Sequence, residues 1–82
     1  MFLYRADAFE SKCLREVFGD DVTQVTFWDA EEGGGKFVQA EGYAADDTPV
    51  KKVTPGQPGW DTLEEVISER GETVKYGLSL EP

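Results

Sequence analysis

Three consecutive glycines followed by a lysine, in FWDAEEGGGKF at residues 27–37, come nearest in this sequence to a phosphate-binding loop. Such a loop needs backbone N–H groups that point at the anion, with a helix N-terminus behind them. Here Lys36 is followed by Phe37 instead of Ser or Thr, and both flanks have the composition of strands. Glu31 and Glu32 would also repel a bound phosphate. We therefore interpret the glycines as the turn of a hairpin.

Carboxylates are the other residues that could do chemistry, and they occur in clusters. The clusters are Asp20 with Asp21, Asp29 with Glu31 and Glu32, Asp46 with Asp47, and Glu64 and Glu65 with Glu69. A glycosidase-type or metal-assisted reaction needs two carboxylates held at a fixed distance in a partly dry cleft. Adjacent acids in loops do not show that geometry, and none of the clusters has the spacing of a calcium-binding loop. We expect solvated acids, with no metal site and no cofactor.

Histidine is absent from the sequence, and Cys13 is its one cysteine. The chain therefore lacks the commonest general base, the commonest zinc ligand and the usual partner of a nucleophilic serine or cysteine. A single cysteine next to Leu14 and near Phe9 and Val17 is more typical of a small buried side chain than of a reactive thiol. We expect a protein that is not an enzyme.

The charge balance indicates the kind of partner. Seventeen Asp and Glu face eight Lys and Arg, so the 82-residue chain has a formal net charge of −9. A field of this sign repels nucleic acids and anionic membranes and accelerates association with basic partners. No apolar run suits a membrane span or a signal peptide. We expect a cytoplasmic protein; the sequence leaves open whether its acidity serves binding or only solubility.

The first helix is predicted at DAFESKCLREVFG, residues 7–19. Its predicted apolar stripe consists of Phe9, Cys13, Leu14 and Val17. Asp7 and Glu10 have the spacing of a capping box, and Gly19 is a suitable C-terminal stop. A second helix is predicted at DTLEEVISERG, residues 61–71, where Asp61 and Glu64 repeat the capping-box spacing. This helix gathers like charges that its own stability does not favour.

Four segments have the composition or alternation of strands, at residues 2–5, 22–29, 36–44 and 73–80. The first of them also suits a helix that begins almost at residue 1, and the proline-rich loop at 45–59 could hold a short edge strand, VKKV. The order predicts one α+β domain over residues 1–82, with two helices on one face of an antiparallel sheet in the ferredoxin-like βαββαβ arrangement. The alternative is an N-terminal helix packed on a three- or four-stranded meander.

The aromatic residues of the predicted hairpin are the most informative about binding. If Val25 and Phe27 point toward the helices, strand alternation leaves Trp28, Phe37 and Tyr43 on a sheet face that no helix covers. Such a face suits protein contact or self-association better than RNA, because its neighbouring side chains are not basic. The reverse register, which buries Phe37 and Tyr43, stays open. Trp60 is expected to tether the Pro-Gly loop to the core or to anchor an interface.

These observations favour a nonenzymatic interaction protein that binds a basic protein surface. In size, charge and lack of catalytic equipment the chain resembles small acidic phage-encoded inhibitors of host nucleases and defence complexes. That resemblance implies inhibition of a nucleic-acid-handling protein by DNA mimicry. The predicted partner-binding residues are Trp28, Asp29, Glu31, Glu32, Asp46, Asp47, Glu64, Glu65 and Glu69. A homodimer through the open sheet face is a further expectation. The alternative function is a small-molecule-binding accessory domain with its ligand near Trp60.

Overall fold

The computed structural model describes residues 4–29 and 37–80, apart from the side chain of Glu72. It is a small α+β domain with two helices and a five-stranded, mostly antiparallel sheet. In chain order the elements are β1 (Tyr4–Arg5), α1 (Ala8–Phe18), β2 (Gln24–Asp29), β3 (Phe37–Tyr43), β4 (Pro49–Val53), α2 (Trp60–Arg70), a 3₁₀ helix (Gly71–Tyr76) and β5 (Leu78–Ser79).

The first helix begins at the predicted capping box. The Glu10 N–H donates to Asp7 Oδ1 (2.7 Å) and the Asp7 N–H donates to Glu10 Oε1 (2.9 Å), so two N–H groups that the helix leaves unpaired are satisfied. Gly19 ends the helix, as predicted. The predicted stripe is wrong at Phe9, which is 45% exposed, because the helix turns Glu10 inward instead. Cys13 is buried, as expected.

The second helix begins two residues earlier than predicted, because its N-cap lies at position 59 and not at position 61. Its N-cap is Gly59, at φ 97°, and no side chain caps the helix, so the predicted box of Asp61 and Glu64 does not form. The entry is a tight turn in which the Trp60 N–H donates to the Gln57 carbonyl. A side chain at position 59 would be strained at this φ and would meet Val17 of α1. The chain therefore enters α2 through glycine, and Asp61 lies inside the first turn.

The sheet order is β1-β5-β2-β3-β4, so the ferredoxin-like order is not confirmed. Strands β2, β3 and β4 pair as an antiparallel meander, which includes the two strands of the predicted hairpin and an edge strand over VKKV. The predicted glycine turn of that hairpin lies outside the described residues. The last strand lies between β1 and β2, parallel to β1. Because β4 follows the hairpin as an additional strand, the chain leaves the sheet at its β4 edge before α2. After α2 the chain returns to the side of β2 opposite β3, where β5 pairs.

Half of the strand predicted at 73–80 is a 3₁₀ helix. Only Leu78 and Ser79 form a strand, and Gly77, at φ 92°, separates them from the 3₁₀ helix. Val74 and Leu78 are buried while Tyr76 is exposed, so the alternation in the sequence does not correspond to two faces of a strand. The 3₁₀ helix packs Val74 into the core beside the sheet.

One face of the sheet packs on both helices and forms the core. Val25, Phe27, Ala40 and Val53 contribute buried side chains from this face. Gly42 lies on it too, because a Cβ there would come within 2.7 Å of Val22 Cγ2 and 2.9 Å of Phe18 Cδ1. The absence of a side chain at position 42 therefore lets the end of α1 approach β3.

The other face of the sheet is covered by neither helix. We call the side chains that β2, β3 and β4 present there the open face: Gln24, Thr26, Trp28, Gln39, Glu41, Tyr43, Pro49 and Lys52. Trp28 and Tyr43 are on it, as predicted, but Phe37 is buried and Val38 is exposed. A register shift causes this exchange, because Trp28 pairs with Gln39 while Asp29 pairs with Phe37.

Candidate functional site: acidic helix face and open sheet face

The exposed side of α2 carries a row of carboxylates, which we call the α2 acidic row: Asp61, Glu64, Glu65 and Glu69. Three of its members follow one another at intervals of four residues, which places them on one side of the helix about 6 Å apart along the axis. All four side chains are exposed. None of them forms a hydrogen bond or ion pair with another residue of the described ranges. They are therefore available to a cationic partner.

Glu16 adds a carboxylate from α1 to the same helix layer. The pKa of the Cys13 thiol is raised by burial first, and then by the negative charges of Glu16 and Glu65. The charges of carboxylates from both helices thus act on one buried thiol. The neutral, buried Cys13 is not suited to act as a nucleophile.

Trp28 lies on the opposite side of the sheet from this acidic layer. Its side chain is 40% exposed, whereas the preceding Phe27 is buried against the helices. Gln39 is its cross-strand neighbour, and Asp29 follows it at the end of β2. Trp28 is therefore available for contact, but with a different surface from the α2 acidic row.

Asp46 and Asp47 form part of the turn between β3 and β4. The pKa of Asp46 is lowered by hydrogen bonds from the side chain and backbone of Thr48, whose N–H lies 3.1 Å from Asp46 Oδ1. Asp47 adopts a left-handed conformation, at φ 67°, and accepts a hydrogen bond from Gln24 Nε2 at 2.7 Å. Both acids thus have a role in the turn itself, and the partner-binding role stays a prediction.

The predicted partner-binding residues are not brought together in the part of the chain that the structure describes. Asp47 contacts the first residue of β2 and Asp29 is the last, so these acids lie about 17 Å apart along the strand. Glu64, Glu65 and Glu69 are on the helix layer, on the other side of the sheet from Trp28. Glu31 and Glu32 lie outside the described residues.

Comparison with protein-family models, curated proteins and solved structures gives no match to this chain. A function therefore has to be inferred from its own residues. Among residues 4–29 and 37–80, no group of three or more acidic or cysteine side chains is placed to hold a metal ion. Within those same ranges, no helix has the length and apolar character needed to cross a membrane.

A buried ion pair was missed at the sequence level. Glu10 is 1% exposed, and Arg70 reaches it from the end of α2 with two hydrogen bonds, Nε to Oε2 (2.8 Å) and Nη2 to Oε1 (2.6 Å). Nη2 also donates to the carbonyl of Arg5 at 3.0 Å. This pair is a structural connection between α1, α2 and β1, and it removes Glu10 from the acids available to a partner.

Asp61 and Glu16 were also missed as members of the acidic layer. The interval of four residues that relates Asp61 to Glu65 is readable in the sequence, but Asp61 was assigned to the N-cap instead. Glu16 could not be found in this way, because only the packing of the two helices brings the charges of Glu16 and Glu65 to act on the same thiol, that of Cys13.

Proposed function

We propose that this protein is a nonenzymatic interaction protein that binds the basic surface of a nucleic-acid-handling protein and inhibits it by phosphate mimicry. The α2 acidic row is the observation that carries the proposal. Carboxylates about 6 Å apart along a helix approximate the ~7 Å along the duplex axis that separates every second phosphate of one DNA strand. A surface that binds every second phosphate of one strand through Lys and Arg would therefore meet negative charges at a comparable spacing along the axis.

Helix stability does not account for the row. Like charges four residues apart destabilise an isolated helix by about 0.2 to 0.5 kcal/mol per pair, and the α2 acidic row contains two such pairs, Asp61 with Glu65 and Glu65 with Glu69. Asp61 gains from the positive end of the helix dipole, but Glu69 lies near the negative end and is disfavoured there. Exposed like charges at an energetic cost are expected where a partner supplies the opposite charge.

The charge of the whole chain supports the same contact. A net charge of −9 attracts a basic surface over a distance of about one Debye length and raises the association rate. The α2 acidic row then supplies the short-range pairs that fix the orientation. Trp28 faces the other way and takes no part in this contact.

Affinity capture from cells of the source organism, followed by elution with double-stranded DNA, tests the proposal. The wild-type chain should retain a basic nucleic-acid-binding protein that DNA displaces. Glu65→Gln/Glu69→Gln should lose most of it, while the control Asp20→Asn/Asp21→Asn, with the same change in net charge at exposed loop positions, should retain it. A captured protein that DNA fails to displace, or that the α2 variant retains in full, would contradict phosphate mimicry by this helix.

The alternative function, a small-molecule site around Trp60, is not favoured by any observation. The Trp60 side chain is buried at the start of α2 and belongs to the core cluster, which agrees with its expected role in tethering the Pro-Gly loop. Its indole ring is not presented to a ligand.

A further inference from the structure

The open face differs from the rest of the molecule in charge. Its side chains include one acid, Glu41, and one base, Lys52, and the carboxylate of Asp47 lies at one end, where it accepts a hydrogen bond from Gln24. The face is therefore far less acidic than the chain as a whole, which carries −9. Two copies of a strongly acidic protein repel each other at most orientations. They can approach with least repulsion through this face. We propose that the protein forms a symmetric homodimer in which the open faces of two copies pack on each other.

The cross-strand neighbours Glu41 and Lys52 point to a second copy. They face each other between β3 and β4, yet they form no ion pair within 4 Å. Glu41 Oε1 instead accepts a hydrogen bond from the Tyr43 hydroxyl at 2.8 Å, and its other oxygen has no partner among the described residues. A two-fold axis beside this pair brings Lys52 of each copy to Glu41 of the other. One contact then occurs twice, as a self-complementary interface requires.

Trp28 supplies the apolar part of the interface. A large aromatic side chain that is 40% exposed and surrounded by polar neighbours is typical of an interface anchor. Thr26 and Gln39 adjoin it on the open face and can hydrogen-bond across the contact. Burial of Trp28 in the dimer removes apolar area from water, which stabilises the association.

The edge of the sheet is a less suitable site for self-association than its face. Strand β4 is an edge strand, and an unpaired edge is a template for a further strand. Here, however, it begins with Pro49 and carries Lys51 and Lys52, and a register shift at Val50 interrupts its regular pairing. Proline, lysine and bulges are the features that protect natural edges. The face is therefore a more suitable dimer surface than this edge.

The size of the open face predicts a weak dimer. Three strands about 4.8 Å apart, with about six residues each, make a surface roughly 14 Å wide and 20 Å long. Its projected area, roughly 280 Å² per copy, is well below the ~800 Å² per partner of a standard stable interface, so only a weak, transient complex is expected. We therefore expect a dissociation constant in the micromolar range or weaker, with fast exchange.

Sedimentation equilibrium from about 10 μM to about 1 mM protein tests the dimer. The wild-type chain should pass from monomer to dimer across this range, and Trp28→Arg should stay monomeric. Lys52→Glu should weaken association at least ~tenfold, because the new carboxylate of each copy would face Glu41 of the other. The double variant Lys52→Glu/Glu41→Lys should restore association. The control Lys75→Glu makes the same charge change at an exposed position outside the open face and should be without effect beyond general repulsion.

Circular dichroism on each variant verifies that it is folded, and the two charge variants test the interface independently of Trp28. A wild-type chain that stays monomeric at the highest concentration would overturn the proposal. The proposal would also be overturned if Trp28→Arg and Lys52→Glu dimerised with the same dissociation constant as the Lys75→Glu control.

Discussion

Replacing Arg70 with methionine would leave the Glu10 carboxylate buried without its cation. Glu10 is 1% exposed, and two of the hydrogen bonds that it accepts come from the Arg70 guanidinium. A carboxylate in that position recovers only part of its hydration, through the space that the Arg70 side chain vacates. The Arg5 carbonyl would also lose the hydrogen bond that Arg70 donates.

The expected loss in the free energy of unfolding is large for a domain of this size. Removing one partner of a buried ion pair destabilises proteins by about 3 to 5 kcal/mol. Because the Arg70 side chain is 21% exposed, water can reach the vacated site, and we expect the lower end, about 3 kcal/mol. An 82-residue domain has a total stability of roughly 4 to 12 kcal/mol. The substitution should therefore lower the melting temperature by about 12 to 24 °C.

Urea denaturation followed by circular dichroism measures the loss. Arg70→Lys should lie between the wild type and Arg70→Met, because lysine keeps the charge but not the forked donor geometry. The matched control is Lys12→Met, which removes a positive charge from an exposed position and should cost less than about 0.5 kcal/mol. If Arg70→Met were no more destabilising than this control, the ion pair would not connect the helices as described.

Three further predictions concern other positions. Gly42→Ala should destabilise the fold by about 1 to 3 kcal/mol in urea denaturation, because its Cβ would overlap Phe18; an unchanged midpoint would contradict that packing. Burial, together with the hydrogen bond to Glu41, raises the pKa of Tyr43 to about 12. Because the folded state favours the neutral phenol, Tyr43 contributes stability that is complete below its unfolded pKa near 10 and is lost as the pH rises toward 12. Tyr43→Phe should therefore lose less stability than the wild type between about pH 9 and 11; equal losses would contradict the raised pKa of Tyr43. Cys13 should react with a thiol reagent at least ~100-fold more slowly in the native protein than in urea, because burial shields the thiol and raises its pKa; comparable rates would contradict its burial.

Local signals in the sequence predicted the first helix and the hairpin. The capping box depends only on residues 7 and 10, which are three apart, so no tertiary contact is needed to recognise it. The hairpin was readable because β-branched and aromatic residues flank a run that favours a turn. The edge strand over VKKV was anticipated for a similar reason, since a proline at its start is tolerated only at the edge of a sheet.

Features that depend on distant contacts were not readable. The place of β5 between β1 and β2 is set by pairing between the two ends of the chain. The partner of Glu10 lies 60 residues away, and that pairing turns Phe9 outward although its own pattern favours burial. The exchange of Phe37 and Val38 follows from one register shift, which reverses side-chain directions without a clear signal in composition.

The candidate site was predicted in part. Glu64, Glu65 and Glu69 were identified as unusual because like charges at helical spacing need a reason outside the helix. Their separation from Trp28 was not foreseen, because it depends on which face of the sheet the helices cover. The two surfaces therefore imply two different contacts. The α2 acidic row suits an electrostatic contact with a basic partner, and the open face suits a contact between two copies of the chain.

The most direct test of phosphate mimicry by the α2 acidic row is a salt series on the purified captured protein. Its affinity for the wild-type chain should fall at least ~tenfold between about 50 and about 200 mM salt, since the contact is made by exposed charges. Glu65→Gln/Glu69→Gln should bind more weakly and with a shallower salt dependence, while Asp20→Asn/Asp21→Asn should follow the wild type. An affinity that is independent of salt and equal for all three chains would contradict the proposed function.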